Sequence, residues 1–362
     1  MTSSAFGDAS ALGDSPAQGD AAPRRATTIK DVAKKARCSI ASVSRVVNDS
    51  GPVSTGLRRR IATAVAELDF RPSEVGRSLV LKRSRTIGVL VPSVTNPVFA
   101  DCLAGLQETA RRAGHAVLIA QSDYEPGREI EAIAPLIAER PAGLVLTVCD
   151  PAASAAHLRA ATAGIPTVLL FNEAVAAGDA VVTVDNRGAG REIAEALIRH
   201  GHRRISFVAG RFAASDRARA RFEGVGDALA AAGLPVAPPI EIDFIDGPDR
   251  IDLSDLLARS RPTAIVASND LLAIGVVAAL RRHGLAVPDD VSVAGFDGIA
   301  IGRLIAPALA TIEWPARAMG AAAAAMLLDL VAGRGDAAAR VVTLPHVWRP
   351  GGTLAGAPNV SR

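Results

Sequence analysis

The chain has 362 residues, too long for one ordinary hydrophobic core, so two or three folding units are expected. Apolar residues make up 49% and charged residues 21%, as in globular proteins, and the widely spaced Cys38, Cys102 and Cys149 argue against a disulfide framework or a zinc site. The net charge is only +3, but residues 24–85 carry 15 Lys/Arg against 5 Asp/Glu, which suggests a basic head that binds a polyanion.

Residues 1–26 are rich in Gly, Ala, Ser, Pro and Asp without periodicity, and we predict a disordered leader there. The leader lacks the apolar run of a secretion signal. The most apolar late stretch, Met319 to Leu328, is about half the ~20 residues that a membrane span needs. We therefore expect a cytoplasmic protein with no membrane partner.

Residues 27–71 are predicted to form a helix-turn-helix DNA-binding domain of three short helices. Thr28, Ser39 and Ser54 are suited to begin the helices, because their hydroxyls can cap free backbone N–H groups. Apolar residues recur at helical spacing on one face of each helix, namely Ile29, Val32, Ala33 and Ala36, then Val43, Val46 and Val47, then Leu57, Ile61, Val65 and Leu68.

Residues 72–85 are predicted to be a linker that contains a hinge helix. Pro72 and Ser73 favour a helix start, but Gly76 costs about 1 kcal/mol relative to Ala. Such a short helix is marginal alone in water, so we expect it to fold only on DNA.

From residue 86 to residue 353, short apolar runs alternate with helix-like segments, which is typical of parallel sheets covered by helices on both faces. The length of this part exceeds one doubly wound sheet, so two similar lobes are expected, with residues 354–362 as a tail. The runs include Ile87–Val91, Val117–Ala120, Leu144–Val148, Thr167–Phe171, Ile205–Ala209, Ala264–Ala267 and Val291–Gly295. The helix-like segments include Phe99–Ala113, Arg187–His200, Arg217–Ala232 and Leu271–His283.

The order of short motifs resembles the lactose-repressor (LacI/GalR) family of bacterial transcription regulators from Thr28 to about Thr353. The resemblance implies a helix-turn-helix headpiece with a hinge helix, followed by a periplasmic-binding-protein-like domain of two doubly wound α/β lobes. The motifs are Thr28-Ile29-Lys30-Asp31-Val32-Ala33, Val43-Ser44-Arg45-Val46-Val47-Asn48, Arg71-Pro72-Ser73, Thr86-Ile87-Gly88-Val89, Asn96-Pro97-Val98-Phe99, Val184-Asp185-Asn186, Ser268-Asn269-Asp270 and Gly295-Phe296-Asp297.

For DNA the resemblance implies base contacts from Ile40, Ala41 and Arg45, and a wedge by Leu79 into a central base step of the minor groove. The other predicted DNA-binding residues are Thr28, Ser39, Ser42, Ser44, Asn48 and Arg77. Alternatively, Arg45 contacts a phosphate or only solvent, and Leu79 packs on the following domain. Lys30, Lys34, Lys35 and Arg58-Arg59-Arg60 are assigned to phosphates or solvent.

For the small molecule the resemblance implies a sugar or sugar acid held in the cleft between the lobes. The predicted effector-binding residues are Asn96, Phe99, Asn172, Asp185, Arg221, Asn269 and Asp297. Alternatives stay open for several of them. Phe99 can be simple core, Asp297 can merely support its Gly-Phe-Asp-Gly turn, and Asp185 and Asp270 can cap helices. Asn172 departs from the family, in which Arg is common at that position.

These features together predict a regulator, expected to be a repressor, that binds a pseudo-palindromic DNA operator as a homodimer under the control of the small-molecule effector. No cofactor or metal is expected. A transport protein of the same two-lobed fold would lack the basic head and carry a secretion signal. An enzyme is disfavoured because the chain contains no GxxxxGK[ST], GxSxG or HExxH motif. A regulator that ignores small molecules stays an alternative.

Overall fold

The computed structural model describes residues 27–48, 51–70, 84–174, 176, 178–243, 250–334 and 340–358. They form two compact units, one within Met1–Lys82 and one within Arg83–Arg362. The predicted leader and most of the predicted hinge segment lie outside these residues. Each unit has its own hydrophobic core.

The small unit consists of helices α1 (Ile29–Lys35), α2 (Ile40–Asn48) and α3 (Thr55–Glu67). Its buried centre contains Val32, Val43 and Ile61, one apolar residue from each helix. The predicted apolar faces all contribute to this cluster, either buried or partly buried. The helix-turn-helix prediction is therefore confirmed at the level of the fold.

The first lobe of the large unit contains a six-stranded parallel sheet. Its strands are β1 (Thr86–Val91), β2 (Ala116–Gln121), β3 (Gly143–Leu146), β4 (Thr167–Leu170), β5 (Ala180–Val184) and β11 (Arg340–Leu344), in the order β11-β5-β4-β3-β1-β2. Strand β1 lies inside the sheet, and Ile87 faces Val117 on one side and Gly143 on the other.

The second lobe contains another six-stranded sheet, parallel except for its last edge strand. Its strands are β6 (Ile205–Gly210), β7 (Ile240–Ile242), β8 (Ala264–Ala267), β9 (Ser292–Asp297), β10 (Ala310–Glu313) and β12 (Val347–Arg349), in the order β12-β10-β9-β8-β6-β7. Buried apolar runs in β6, β8 and β9 confirm the expectation of a sheet covered on both faces.

Helices follow most strands, as expected for βαβ units. They are α4 (Pro97–Arg112), α5 (Glu129–Ala138), α6 (Pro151–Ala161), α7 (Asn186–Arg199), α8 (Asp216–Ala231), α9 (Ser254–Ser260), α10 (Asp270–Arg282), α11 (Ala300–Leu304) and α12 (Ala316–Val331), with short 3₁₀ turns at Pro126–Arg128 and Phe212–Ala214.

The chain crosses between the two lobes three times, once after β5, once after β10 and once after β11. Helix α7 follows β5 of the first sheet but packs on α8 and β10 of the second lobe. Helix α12 follows β10 but packs on α4, β3 and β4 of the first lobe. Strands β11 and β12 belong to different sheets. Three parallel connections of this kind allow one lobe to rotate against the other.

Candidate functional site

Helix α2 carries the predicted DNA-reading face. Ser39 begins the helix, because its hydroxyl accepts a hydrogen bond from the Ser42 backbone N–H at 3.1 Å. The Ile40 side chain is 45% exposed, and Ala41 and Arg45 are exposed too. The structure therefore leaves accessible the three residues for which base contacts are predicted.

The remaining predicted DNA-binding residues have different surroundings. Thr28 begins α1, and its backbone N–H and its hydroxyl both donate to Asp31 Oδ2, at 2.8 Å and 2.6 Å. Ser44 is half-buried on α2. The described part of the chain does not include Arg77, Leu79 or the side chain of Asn48, so their DNA contacts stay predictions.

The head also has a basic groove beside α3. Its walls contain Lys35, Arg37, Arg59 and Arg60 together with Glu67, which pairs with Lys35 at 2.5 Å. The Lys35 and arginine side chains are exposed. Such a groove suits phosphate oxygens, which attract cations without revealing sequence.

A small, largely buried cavity lies between the lobes, at the carboxyl ends of the parallel strands. This edge of an α/β sheet is where ligands bind in doubly wound folds. The cavity wall includes five of the predicted effector residues, Asn96, Phe99, Arg221, Asn269 and Asp297. It also includes Tyr124, Phe171, Ser215, Arg217 and Ser268, which the sequence analysis did not assign to the site.

Arg221 and Asp297 form a buried ion pair in the second-lobe wall. The guanidinium lies 3.6 Å from Asp297 Oδ1, donates to Asn186 Oδ1 at 3.0 Å and to the Ser268 carbonyl at 2.6 Å. Burial lowers the pKa of Arg221 to about 10, although Asp297 opposes that change. Burial likewise raises the pKa of Asp297, against the effect of Arg221. The protein therefore uses much of the hydrogen-bonding capacity of Arg221 internally.

Asp297 is held in an unusual backbone conformation. Its φ is 111°, and Gly298 follows with a φ of 69°. Such a geometry in a non-glycine residue costs about 1–3 kcal/mol and persists only where neighbours enforce it. One such neighbour is Trp314, whose indole Nε1 donates to Asp297 Oδ1 at 2.9 Å. The turn therefore places the carboxylate in the cavity wall.

Asn96 and Tyr124 form the first-lobe wall with Phe99. Asn96 begins α4 by accepting from the Val98 N–H at 3.2 Å. Its side chain also favours a lower pKa for Tyr124 and, across the cleft, for Asp297. Burial raises the pKa of Tyr124 to about 12, so its hydroxyl stays protonated. Phe99 packs edge-to-face on Phe171 with ring centroids 5.5 Å apart and is part of the core as well as of the wall.

Arg217 bridges the two lobes at the start of α8. Its Nη1 donates to the Val148 carbonyl of the first lobe and to Asp216 Oδ1, both at 2.9 Å. Asp216 in turn accepts from Asn172 Nδ2 at 3.0 Å and from the Glu173 N–H at 3.2 Å. One signal in the sequence could have indicated Arg217: it lies four residues before Arg221, on the same face of one helix.

Two predicted effector residues lie outside the cavity wall. Asn172 is fully buried and bonds to the backbone N–H and carbonyl of Val148, at 2.9 Å each. Asp185 is exposed and caps α7 by accepting from the Gly188 N–H at 2.7 Å. Both side chains are therefore occupied by hydrogen bonds within the protein.

Asn269, not Asp270, caps helix α10. Asn269 Oδ1 accepts from the Leu272 N–H at 2.8 Å while the residue lines the cavity. Asp270 is fully buried behind the cavity wall, where its carboxylate accepts from the Ile299 N–H at 2.9 Å and the Thr311 hydroxyl at 2.6 Å. The alternative interpretation of Asp270 as a cap is therefore wrong.

The chain is similar to proteins whose roles are known. A profile described as "Bacterial regulatory proteins, lacI family" matches residues 28–73, and one described as "Periplasmic binding protein-like domain" matches residues 194–354. The regulator GntR of Escherichia coli is 32% identical over 91% of this chain and 99% of its own length. The ribose operon repressor of Haemophilus influenzae is 32% identical over 84% of this chain and 92% of its own length.

Solved structures show the same architecture. The lac repressor dimer bound to operator and an anti-inducer matches with a TM-score of 0.81, at 27% identity, over 91% of this chain and all of that chain. A transcriptional regulator CelR in complex with cellobiose matches with a TM-score of 0.64, at 26% identity, over 90% and 99% of the two chains.

A helix-turn-helix head followed by a two-lobed, periplasmic-binding-protein-like unit defines a DNA-binding transcriptional regulator. The chain belongs to the LacI family of bacterial regulatory proteins. Its relatives are transcriptional regulators and not enzymes.

Among the described residues, no group of three or more His, Cys, Asp or Glu side chains could hold a metal ion. Within the same residues, no helix is both long and apolar enough to span a bilayer.

Proposed function

We propose that this regulator is an allosteric repressor that binds a pseudo-palindromic operator as a homodimer and is controlled by a sugar or sugar acid held between its lobes. One observation supports it most: polar side chains from both lobes converge on one buried cavity, with Asn96 from the first lobe and Arg217, Arg221 and Asp297 from the second. Polar groups that converge in a cleft with some apolar surface are typical of small-molecule sites.

The chemistry of the cavity fits a hydroxylated ligand. Asp297 can accept hydrogen bonds from hydroxyls, and the amides of Asn96 and Asn269 can both donate and accept. Phe99 and Phe171 offer ring faces or edges to the apolar side of a sugar. We infer that the ligand hydroxyls pair with the polar residues while its C–H groups lie against the rings.

A dimer is supported by exposed apolar surface in both lobes. Strand β2 is an edge strand, and Leu118 and Ile119 on it are 38% and 47% exposed. In the second lobe Ile301 and Leu304 of α11 are 49% and 82% exposed. Unprotected edges and apolar patches are usually covered by a partner. We infer that a second copy covers them and that two heads then read two half-sites.

The link between ligand and DNA is a change in the angle between the lobes. Asn172 with Asp216, and Arg217 with the Val148 carbonyl, join the lobes on one side of the cavity. A ligand that favours the closed arrangement shifts the population toward it. In a dimer this shift changes the separation of the two hinge segments and hence operator affinity.

The proposal is tested by selecting duplexes from a random DNA pool with the full-length protein, at physiological salt. We expect an enriched palindrome with a flexible central step. Sugars and sugar acids are then screened for a change in affinity for that duplex. Enrichment of unrelated sequences would contradict specific binding, and an operator that no compound affects would contradict the control by an effector.

A further inference from the structure

The Arg217 guanidinium is buried but only partly used. The residue is 4% exposed, and Nη1 serves both the Val148 carbonyl and Asp216. Nη2 is buried as well, and within the described residues it has no hydrogen-bond partner. A charged donor buried without an acceptor costs more free energy than a neutral one. Since Arg217 lines the cavity, an acceptor there would remove this cost.

A second polar atom in the same wall is also unsatisfied. Ser268 is 2% exposed, and its Oγ has no hydrogen-bond partner in the described part of the chain. Its hydroxyl can donate or accept. Arg217 and Ser268 therefore provide two buried polar atoms without a partner among the described residues, and both residues line the same cavity.

Arg221 differs from Arg217 although both line the cavity. Arg221 is paired with Asp297, donates to Asn186 and to the Ser268 carbonyl, and lies 4.9 Å from the ring centres of both Phe296 and Trp314. Its charge is thus largely balanced by the protein. Arg217 is satisfied only in part. The Asp216 carboxylate that balances its charge is shared, because it also accepts from Asn172 and from the Glu173 and Arg217 N–H groups.

We propose that the effector carries a carboxylate, and that this group accepts hydrogen bonds from Arg217 Nη2 and the Ser268 hydroxyl. This inference rests on the proposed function and narrows its ligand class to sugar acids. A hydrogen bond between charged partners is about twice as strong as a neutral one, so a carboxylate compensates the buried donor better than a hydroxyl does. The hydroxylated part of the acid then lies toward Asp297 and Asn96.

The position of Arg217 also explains how an acid closes the cleft. Arg217 belongs to the second lobe but donates to Val148 of the first. A carboxylate bound to Nη2 fixes the guanidinium plane, and the same plane carries the Nη1 bond to Val148. Binding and lobe closure therefore share one side chain.

The test compares each acid with its uncharged counterpart. Full-length protein is titrated calorimetrically with D-gluconate and D-glucitol, D-galactonate and galactitol, and D-glucuronate and D-glucose, at matched ionic strength. At least one acid is expected to bind ten-fold or more tightly than its counterpart. Arg217→Met is expected to abolish this preference, and Arg217→Lys to retain part of it, because lysine keeps the charge but loses the planar fork.

Two further variants separate a local effect from misfolding. Ser268→Ala removes only an unsatisfied hydroxyl, so it should fold as the wild type does and weaken acid binding several-fold. Arg199→Met removes an exposed arginine at the end of α7 and should bind every probe as the wild type does.

Three results would overturn the inference: counterparts that bind as tightly as the acids, acid binding that Arg217→Met and Ser268→Ala leave unchanged, or no binding by any probe. The operator selection is scored separately. If the protein selects an operator and only uncharged sugars alter that binding, the carboxylate inference fails and the proposed function stands. If no duplex is selected, the proposed function fails whatever the probes do.

Discussion

Arg45 and Arg60 provide a test of how the head reads DNA. Arg45 is exposed on α2, and Arg60 is exposed in the basic groove beside α3. A bidentate contact from arginine to guanine contributes about 1–3 kcal/mol of discrimination. Arg45→Met should therefore relax base preference at one position in each half-site, measured by binding to a panel of singly substituted operators.

Arg60→Met is the matched control, since it also removes one exposed arginine from the head. It should weaken binding to all duplexes by a similar factor and reduce the salt dependence of binding. If Arg45→Met also weakened binding to all duplexes by a similar factor, Arg45 would contact a phosphate and not a base.

Asp270 should make the protein less stable as pH rises, whereas a salt-bridged carboxylate makes a protein less stable as pH falls. Burial, and then repulsion from Asp297, raises the pKa of Asp270 well above its usual range. The folded protein therefore holds a proton that the unfolded chain releases near pH 4. Between the unfolded and the folded pKa, the contribution of Asp270 to stability is lost as pH rises.

Asp270→Asn should remove this loss. An asparagine oxygen can accept from the Ile299 N–H, and its amide can donate to the Thr311 hydroxyl, so the hydrogen bonds of the site are kept. Denaturant unfolding should show that the variant gains stability relative to the wild type as pH rises from about 5 to about 8. A difference between the two proteins that is constant over this range would contradict the raised pKa.

The sequence predicted which residues line the cavity better than it predicted the hydrogen bonds that their side chains make. Asn96, Arg221 and Asp297 were predicted from the family resemblance and lie in the cavity wall. Asn172 and Asp185 were predicted on the same grounds but are occupied by backbone groups. The importance of Arg217 depends on which of its nitrogens lacks a partner, and that depends on atoms from Val148 in the other lobe. Such long-range pairing has no local pattern in the sequence.

Among the helices, two close crossings depend on glycine. In the pair α7 and α8, a Cβ at Gly190 would lie 2.1 Å from the Arg221 carbonyl oxygen, and one at Gly224 would lie 1.9 Å from that of Arg187. In the pair α4 and α12, a Cβ at Gly105 would lie 1.9 Å from the Arg317 carbonyl oxygen, and one at Gly320 would lie 1.9 Å from that of Cys102. Real Cβ atoms cannot approach backbone this closely, so larger residues would separate the helices.

Gly224→Ala should therefore destabilise the protein by about 3 kcal/mol or more, because overpacking against backbone cannot be relieved by a side-chain rotation. The displacement should also weaken acid binding, since α8 carries Arg217 and Arg221. Urea unfolding and the calorimetric titration above measure the two effects.

Gly226→Ala is the control on the same helix. A Cβ there would meet only the Val236 side chain at 3.6 Å, which is ordinary contact. This variant should be as stable as the wild type or more stable by about 0.5–1 kcal/mol, because alanine favours the helix. Equal losses in both variants would show that the close crossing does not determine stability.

The regular elements were predictable where their pattern is local and strong. Seven apolar runs correspond to β1, β2, β3, β4, β6, β8 and β9. Strands β5, β7, β10, β11 and β12 were not among the named runs. Of these, β7, β11 and β12 lie at sheet edges, where burial leaves a weaker pattern. The three crossings could not be predicted, because the sheet that a strand joins is decided by non-local packing.

At the scale of the whole molecule, the connections between the lobes meet the cavity at Trp314. This residue follows β10 at the second crossing, and its indole bonds to Asp297 in the cavity wall. Its ring lies 5.7 Å from the ring of His346, which belongs to the third crossing and bonds to Glu192 of α7 at 2.9 Å. A change at the cavity therefore reaches two of the three connections through one side chain.

Trp314 should report ligand binding and contribute to its effect on DNA. The chain has two tryptophans, so Trp348→Phe leaves Trp314 alone. Its fluorescence should change with the acid that binds in the calorimetric titration and give the same Kd, because the indole lies against Arg221 and Asp297. Trp348→Phe should otherwise bind operator and ligand as the wild type does.

Trp314→Phe keeps an aromatic ring but removes the N–H that donates to Asp297. The ligand-induced change in operator affinity should fall at least about five-fold, the lower end of typical allosteric coupling. Because coupling is reciprocal, the effect of operator DNA on ligand affinity should fall by the same factor. If ligand affinity fell while both effects kept their wild-type size, Trp314 would act only in binding, and the coupling would pass through the crossings after β5 and β11.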